Sequence, residues 1–173
     1  MPPDLCGETI VLRAPTEEDL PFLVEFANDE SIRGWLRFER PITTSSERAW
    51  LEALDDDRER VWLMTHGGRA LGTIALVDWQ QVPRVAELGL AILRAEDRGR
   101  GIGEEAVRLV LRHGFEAMGL QRIWLHVHED NPAAKLYARA GFREEGRLRR
   151  HVWKRGAYRD LITMGLLREE WSG

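Results

Sequence analysis

The sequence predicts an α+β domain organised around one mixed β-sheet. Three observations carry this. Short aliphatic and aromatic runs at 60–65, 70–79, 85–93 and 123–128 read as strands. The clearest helical spacing of apolar residues, over 102–118, falls between the last two of them. Glycine, proline and asparagine punctuate the joins. At 173 residues the chain is read as a single domain, 1–173, with no repeat, low-complexity tract or linker. Folding at this size buries about 70% of the unfolded surface, enough for a core without disulfide or metal staples.

Element by element, Thr9 to Arg13 is a short strand with Ile10 and Leu12 on one face. Thr16 stands before Glu17, Glu18 and Asp19, acids suited to the positive end of a helix that runs to about Ala27. Residues 28–43 hold Gly34 and Pro41 and read as a loop or broken helix, followed by a helix from Ser45 or Ser46 to Leu54. Arg60–Thr65 and Ala70–Trp79 form a hairpin about His66-Gly67-Gly68, and Val85–Leu93 is the next strand. In the helix over 102–118, Val107, Val110, Leu111, Gly114, Phe115 and Met118 share one face, while Glu104 and Arg108 pair on the other. Ile123–His128 is a strand with Trp124, His126 and His128 on one side. Asn131-Pro132 opens a further helix as cap and first residue, and Gly141-Phe142 closes it. Two strands joined near Lys154-Arg155-Gly156 finish an order β-α-α-β-β-β-α-β-α-β-β: about seven strands and about four helices.

Composition narrows the function. Net charge is −4, which argues against a non-specific nucleic-acid binder. It hides an asymmetry: residues 17–59 carry a net −8 and the remainder +4. That division fits either two ligands of opposite sign or two solvated faces. The single cysteine, Cys6, excludes a disulfide framework and a cysteine-rich metal site. There is no apolar run of membrane-spanning length and no signal-peptide pattern at Met1-Pro2-Pro3-Asp4, so a cytoplasmic protein is expected. Arginine outnumbers lysine 23 to 2, for which there is no physical account.

The most informative segment is Arg98-Gly99-Arg100-Gly101-Ile102-Gly103, which leaves a strand and enters the longest helix. Glycine permits positive φ and close approach of a ligand to the backbone, and the first helical N–H groups have no internal partners. The arrangement suits a phosphate or pyrophosphate, with Arg98 and Arg100 as ionic donors beside it. The spacing is neither G-x-G-x-x-G nor a Walker loop. Glu104 and Glu105 support the alternative, a tight turn whose helix end is complemented by its own acids.

The same residues resemble the Q/R-x-x-G-x-G/A signature of the GNAT superfamily of acyl-CoA-dependent N-acetyltransferases. The resemblance continues through Ala86-Glu87-Leu88-Gly89-Leu90, similar to that family's fourth strand, and through Asn131-Pro132-Ala133-Ala134, Leu136-Tyr137 and Gly141-Phe142. Leu12-Arg13 with Glu18-Asp19-Leu20, and Gly156-Ala157-Tyr158-Arg159-Asp160 with Leu167-Arg168-Glu169-Glu170-Trp171, resemble the RimJ/RimL-type branch. The resemblance spans nearly the whole chain. It implies a V-shaped opening between the fourth and fifth strands, which splay at a bulge. Acetyl-CoA would lie there as co-substrate, its pantetheine arm on the backbone of Ala91, Ile92 and Leu93 and its pyrophosphate on the amides of Arg98, Gly99, Arg100, Gly101, Ile102 and Gly103. No metal is implied, and homodimers are common in the family.

Acyl transfer to an amine needs a neutral nucleophile, a stabilised oxyanion and a proton for the departing sulfur. Tyr137 matches the family's tyrosine, the acid for that sulfur; the alternative is a ring packed on the sheet. Glu87 is the candidate base, acting through water, or else an outward-facing strand glutamate. His126 and His128 are fallback bases or ordinary sheet histidines. Asn131 is a candidate cofactor contact, but it precedes Tyr137 by six residues where the family has seven, and one residue turns a helix by about 100°. Aligning on Tyr137 puts Asp130 in its place and leaves Asn131 as a helix cap. Direct transfer in a ternary complex needs no covalent intermediate, and Cys6 is poorly placed as a nucleophile. Glu25, Asp29, Glu30 and Glu39 form an acidic lip that favours a cationic acceptor, a small amine or a protein N-terminus, with Trp35 and Trp79 as candidate lining. The rival readings are a non-catalytic acyl-CoA-binding module or sensor, and a nucleotide-phosphate binder.

Overall fold

The computed structural model of the chain describes residues 1–33, 41–54, 57–154 and 156–173. Gly34, Trp35, Glu39 and Arg155 lie outside these. The strands are β1 (Leu5–Cys6), β2 (Val11–Arg13), β3 (Arg60–His66), β4 (Arg69–Gln80), β5 (Val85–Ile92), β6 (Arg122–His128), β7 (Arg143–Lys154) and β8 (Ala157–Leu167). They form one sheet in the order β1-β2-β3-β4-β5-β6-β8-β7, with β5 and β6 the parallel neighbours. The helices are α1 (Leu20–Asn28), α2 (Glu30–Arg33), α3 (Thr44–Glu52), α4 (Ile102–Arg112) and α5 (Ala133–Arg139). The expected α+β architecture is present. The additions are the two-residue β1, paired with β2 through Leu5 and Leu12, and the single turn α2. Neither is long enough to show a period.

Local chemistry accounts for the boundaries. Gly67 and Gly68 both take positive φ, so β3 and β4 close in a two-residue hairpin. The Thr43 hydroxyl accepts from Ser46 N–H at 3.2 Å and starts α3 at Thr44, just ahead of the expected serines. Arg13 forks onto Asp19 at 2.7 and 2.8 Å and so ties β2 to the 3-10 turn Glu17–Asp19 that leads into α1.

The sheet has two unequal faces. On one, α4 and α5 cover a core that includes Trp62, Met64, Ile74, Leu76, Leu88, Val107, Val110, Phe115, Leu125 and Tyr137. On the other, Phe26 and Ile32 from α1 and α2 meet Leu93, with Ala91 and Phe22 against them. β5 lies between. Its even residues face α4, and Glu87, Gly89 and Ala91 face the α1 side.

Gly72 marks the tightest passage in the sheet. It stands opposite Ile92, and a Cβ there would lie 2.1 Å from the Ala91 carbonyl oxygen and 2.9 Å from Ile92 Cα. Backbone cannot yield as a side chain does. Gly72→Ala should therefore lower unfolding free energy by about 2 kcal/mol, read from the urea midpoint; an unchanged midpoint would show that β5 shifts without cost.

Candidate active site

The site begins where two strands part. β5 and β6 pair at Val85/Arg122, Ala86/Ile123 and Glu87/Trp124, and then pairing stops. β5 continues to Ile92 and β6 to His128, so both leave backbone facing a wedge-shaped gap. The register break beside it lies on β4, where Asp78 and Trp79 bulge opposite Ala86. The opening expected from the sequence is present. Its bulge is on the neighbouring strand, since β5 keeps unbroken register with β4 from Glu87 to Ile92.

Ladder alternation decides which backbone groups face the gap. Leu93 N–H donates to Leu71 O at 2.9 Å, so Ala91, two residues back, also directs its polar groups to β4. Leu90 and Ile92 direct theirs into the gap. Of the expected trio Ala91, Ile92 and Leu93, Ile92 directs backbone towards the opening, whereas Ala91 and the Leu93 N–H point to β4; Leu90 shares the Ile92 edge.

The turn after β5 is built on two glycines in left-handed conformation, Gly99 (φ 72°) and Gly101 (φ 84°). A Cβ at either would meet open space, so it is the dihedral angle that requires glycine there. Gly103 serves another purpose. A Cβ on it would lie 2.9 Å from Leu136 Cδ1, so its bareness lets the first turn of α4 touch α5. The α4 N-terminus has no side-chain cap. The acids that would have closed it are engaged elsewhere. Glu105 accepts Thr9 N–H at 2.8 Å, and Glu104 lies 3.4 Å from Arg139 and 3.7 Å from Arg108. Asp97, buried, is pinned by Arg69 at 2.7 and 2.9 Å, and this fork holds its carboxyl below the usual aspartate range. The turn is therefore anchored at its base and open at its amides.

The two arginines of the turn divide. Arg98 donates from Nε to Ile92 O at 3.0 Å and from an Nη to Leu93 O at 2.8 Å and Ser31 Oγ at 3.0 Å. Its guanidinium is spent on protein acceptors, contrary to its expected place beside a phosphate. Arg100 makes no ion pair among the described residues and borders a recess of about 550 Å³ with Gly101. An exposed cation, two αL glycines and an uncapped helix of eleven residues fit a diphosphate.

Tyr137 and Glu87 lie on opposite sides of the sheet at this gap. Tyr137 projects from α5 into the α4-side core, 5% exposed, with its ring edge-on to Phe142 at 5.9 Å. Burial pushes its phenol up to about 12. Glu87 belongs to the last paired position before the strands part and is 8% exposed, so it is not the outward-facing glutamate. Trp124, His126 and His128 follow on the same face, with His126 Nδ1 3.1 Å from Thr163 Oγ1 and edge-on to Trp124 at 5.0 Å. His128 is buried, and desolvation lowers its pKa against the opposing pull of Asp130. Asn131 Oδ1 accepts Ala133 N–H at 2.9 Å from one residue ahead of Pro132, which takes the N-cap place expected for Asn131, and this leaves its amide nitrogen as the side chain's remaining donor.

A cavity of about 690 Å³ opens at the C-terminal end of β5. Glu25, Asp29 and Glu30 line it from α1 and α2, and Glu96 from the chain leading to the turn. Three of the four acids expected at the lip are here; Glu39 is outside the described residues. Trp79 instead stacks under the Arg60 guanidinium at 5.3 Å and packs on the α4-side core. Glu96 and Leu90 were not anticipated. Among the described residues no three His, Cys, Asp or Glu side chains gather to hold a metal ion, and no helix is long and apolar enough to cross a membrane.

The family profile described as acetyltransferase (GNAT) domain matches residues 9–143. Similar proteins include the SPbeta prophage-derived uncharacterized N-acetyltransferase YokL of Bacillus subtilis, 30% identical over 96% of this chain and 94% of its own. The spermidine N(1)-acetyltransferase of Escherichia coli K12 is 29% identical over 95% and 89%. The putative ribosomal N-acetyltransferase YdaF of Bacillus subtilis is 31% identical over 96% of each. Among solved structures, spermidine N-acetyltransferase from Vibrio cholerae in complex with CoA and spermine superposes with a TM-score of 0.86 at 28% identity, covering 95% of this chain and 98% of that one.

The Tyr137 environment can be tested directly. Burial favours the neutral phenol, so its stabilising contribution is complete below about pH 10 and lost as pH rises through about 12. Of the two tyrosines, one should gain phenolate absorbance only near pH 12. Tyr137→Phe should remove that late step; an earlier step removed instead would place the hydroxyl in water.

Proposed function

Because the chain belongs to the GNAT acetyltransferase family and is an N-acetyltransferase, we propose that it moves an acetyl group from acetyl-CoA directly to a cationic primary amine. The observation that carries this is the parting of β5 and β6 at Glu87 below an open glycine turn. Acetyl-CoA supplies the acyl group as a thioester. The amides of residues 99–103, with Arg100, would hold its diphosphate, and the Leu90 and Ile92 backbone would align its arm like an added strand. Asn131 has its amide nitrogen left for the same ligand.

Glu87, through a water, takes one proton from the acceptor ammonium. The neutral nitrogen then bonds to the thioester carbon, the carbon–sulfur bond breaks, and a second proton leaves nitrogen as the amide forms. One proton ends on sulfur and one in solvent. Tyr137 donates a hydrogen bond to the departing sulfur. With its pKa near 12 against about 8.5 for a thiol, it stabilises a thiolate by that bond better than by surrendering its proton. His126, held by Thr163, is the second-choice base.

The acceptor follows from charge. Four carboxylates against the single cation Arg94 leave a cavity of about 690 Å³ net negative, which favours a small polycation, and relatives named for spermidine support it. The RimJ/RimL-like segments and the relative named for ribosomal acetylation support a protein N-terminus as the second acceptor. This reading displaces a non-catalytic acyl-CoA-binding module, and the cytoplasm is the compartment it suits.

A screen of spermidine, an aminoglycoside and basic N-terminal peptides, read by free-thiol release, tests the acceptor; spermidine is expected to lead. CoA binding without turnover on any of them would overturn the reading. Gly101→Val should weaken CoA at least tenfold by calorimetry and lower the melting temperature by only a few degrees, because positive φ is strained for a β-branched residue while a Cβ there meets open space. Tyr137→Phe should lower kcat by about 10²-fold with little change in KM.

A further inference from the structure

Arg98 is oriented away from the amides it adjoins. Its guanidinium reaches the carbonyls of Ile92 and Leu93, the last two links before the cofactor turn, and in the same gesture grips Ser31 on α2. Ser31 in turn donates its N–H and its hydroxyl to Asp29 Oδ1, at 2.8 and 2.5 Å. Asp29 and Ser31 line the acidic cavity, together with Leu93. One side chain thus joins the end of β5, the residue before Gly99 and the wall of the cavity.

The Arg98–Ser31 hydrogen bond runs directly from this turn to α2. Arg94 reaches α1 only loosely, 3.9 Å from Glu25. Apolar contact between the two is limited to Ile32 and Leu93 with their neighbours. α2 is a single turn and cannot hold itself as an isolated helix. Its position depends on what it is tied to.

We infer that Arg98 is a positioning residue that couples the cofactor turn to the acceptor cavity through Ser31, so that filling the turn orders α2. The inference rests on the proposed seating of CoA at residues 99–103. Fixing that backbone fixes the seat of the guanidinium, and the Ser31 bond passes the constraint to Asp29. By linkage the effect is reciprocal: a cation that orders the cavity strengthens CoA binding by the same factor.

Hydrogen-exchange mass spectrometry on the full chain, with CoA as the probe, separates the two claims. In the wild type CoA should slow exchange both in 98–104 and, by about fivefold, in 29–33. Ser31→Ala should keep the first effect and lose the second, and Ser31→Thr, which retains the hydroxyl, should restore it. Equal slowing of 29–33 in Ser31→Ala would overturn the coupling. So would slowing at 98–104 in the wild type with none at 29–33, which leaves the cofactor seat intact. No slowing at 98–104 would fail the cofactor seat itself, and the coupling with it.

Discussion

Everything at this site depends on two strands ceasing to pair. A parallel pair in the middle of a sheet ordinarily satisfies every backbone group by its neighbour. Here β5 and β6 stop after Glu87 and Trp124, so the polar groups of Leu90 and the Ile92 N–H lose the partner that continued pairing would supply, while Arg98 Nε takes the Ile92 carbonyl. Helices follow both strands on the same face, and Gly103 lets α4 and α5 touch above the divergence through Leu136. The gap is thus held open by packing on one side and framed by acids on the other. An extended ligand with amide groups of its own can complete the hydrogen bonding that the protein leaves undone.

The placement of Glu87 and Tyr137 follows from the same divergence. They occupy opposite faces because a strand alternates and a crossover helix returns to one side. Under the proposed function, a thioester laid in the gap would lie between Glu87 on one face and Tyr137 on the other. Cofactor and amine then approach from different directions and need not displace each other, which suits direct transfer without a covalent enzyme intermediate.

Much of this was legible in the residues. The strand-turn-helix at 85–118 declares itself through glycines and a long apolar period, and both left-handed positions fall where the motif put them. Asn131 accepts a backbone N–H at the start of α5 as its residue type suggested, but one place ahead of the N-cap, Pro132. What could not be read was direction. Arg98 and Arg100 are the same residue two positions apart, yet one turns to the Ile92 and Leu93 carbonyls and to Ser31, and the other makes no ion pair among the described residues. That choice is made by acceptors that only the folded chain brings near. Glu104 and Glu105 looked suited to their own helix end and were drawn off by Arg139 and by Thr9 N–H, partners far away in sequence. Which edge Ala91 presents could not be read without a register, since a shift of one residue exchanges the two edges of a strand. β1 and α2 escaped notice because two or four residues display no period.

The far border of the sheet carries its own consequence. β7 is twelve residues long and exposed along nearly all of it, bearing Arg147, Arg149, Arg150 and His151. Its pairing with β8 slips twice, between Glu144 and Gly146 and between Leu148 and Val152, and Arg150 takes positive φ within the second slip while its N–H is held by Asp160. A straight bare border of that length would template stacking by any extended chain it met. Crimped at two places and rich in arginine, this border is a poorer template for edge-to-edge pairing than a straight one, although Leu148 and Trp153 stand exposed along it.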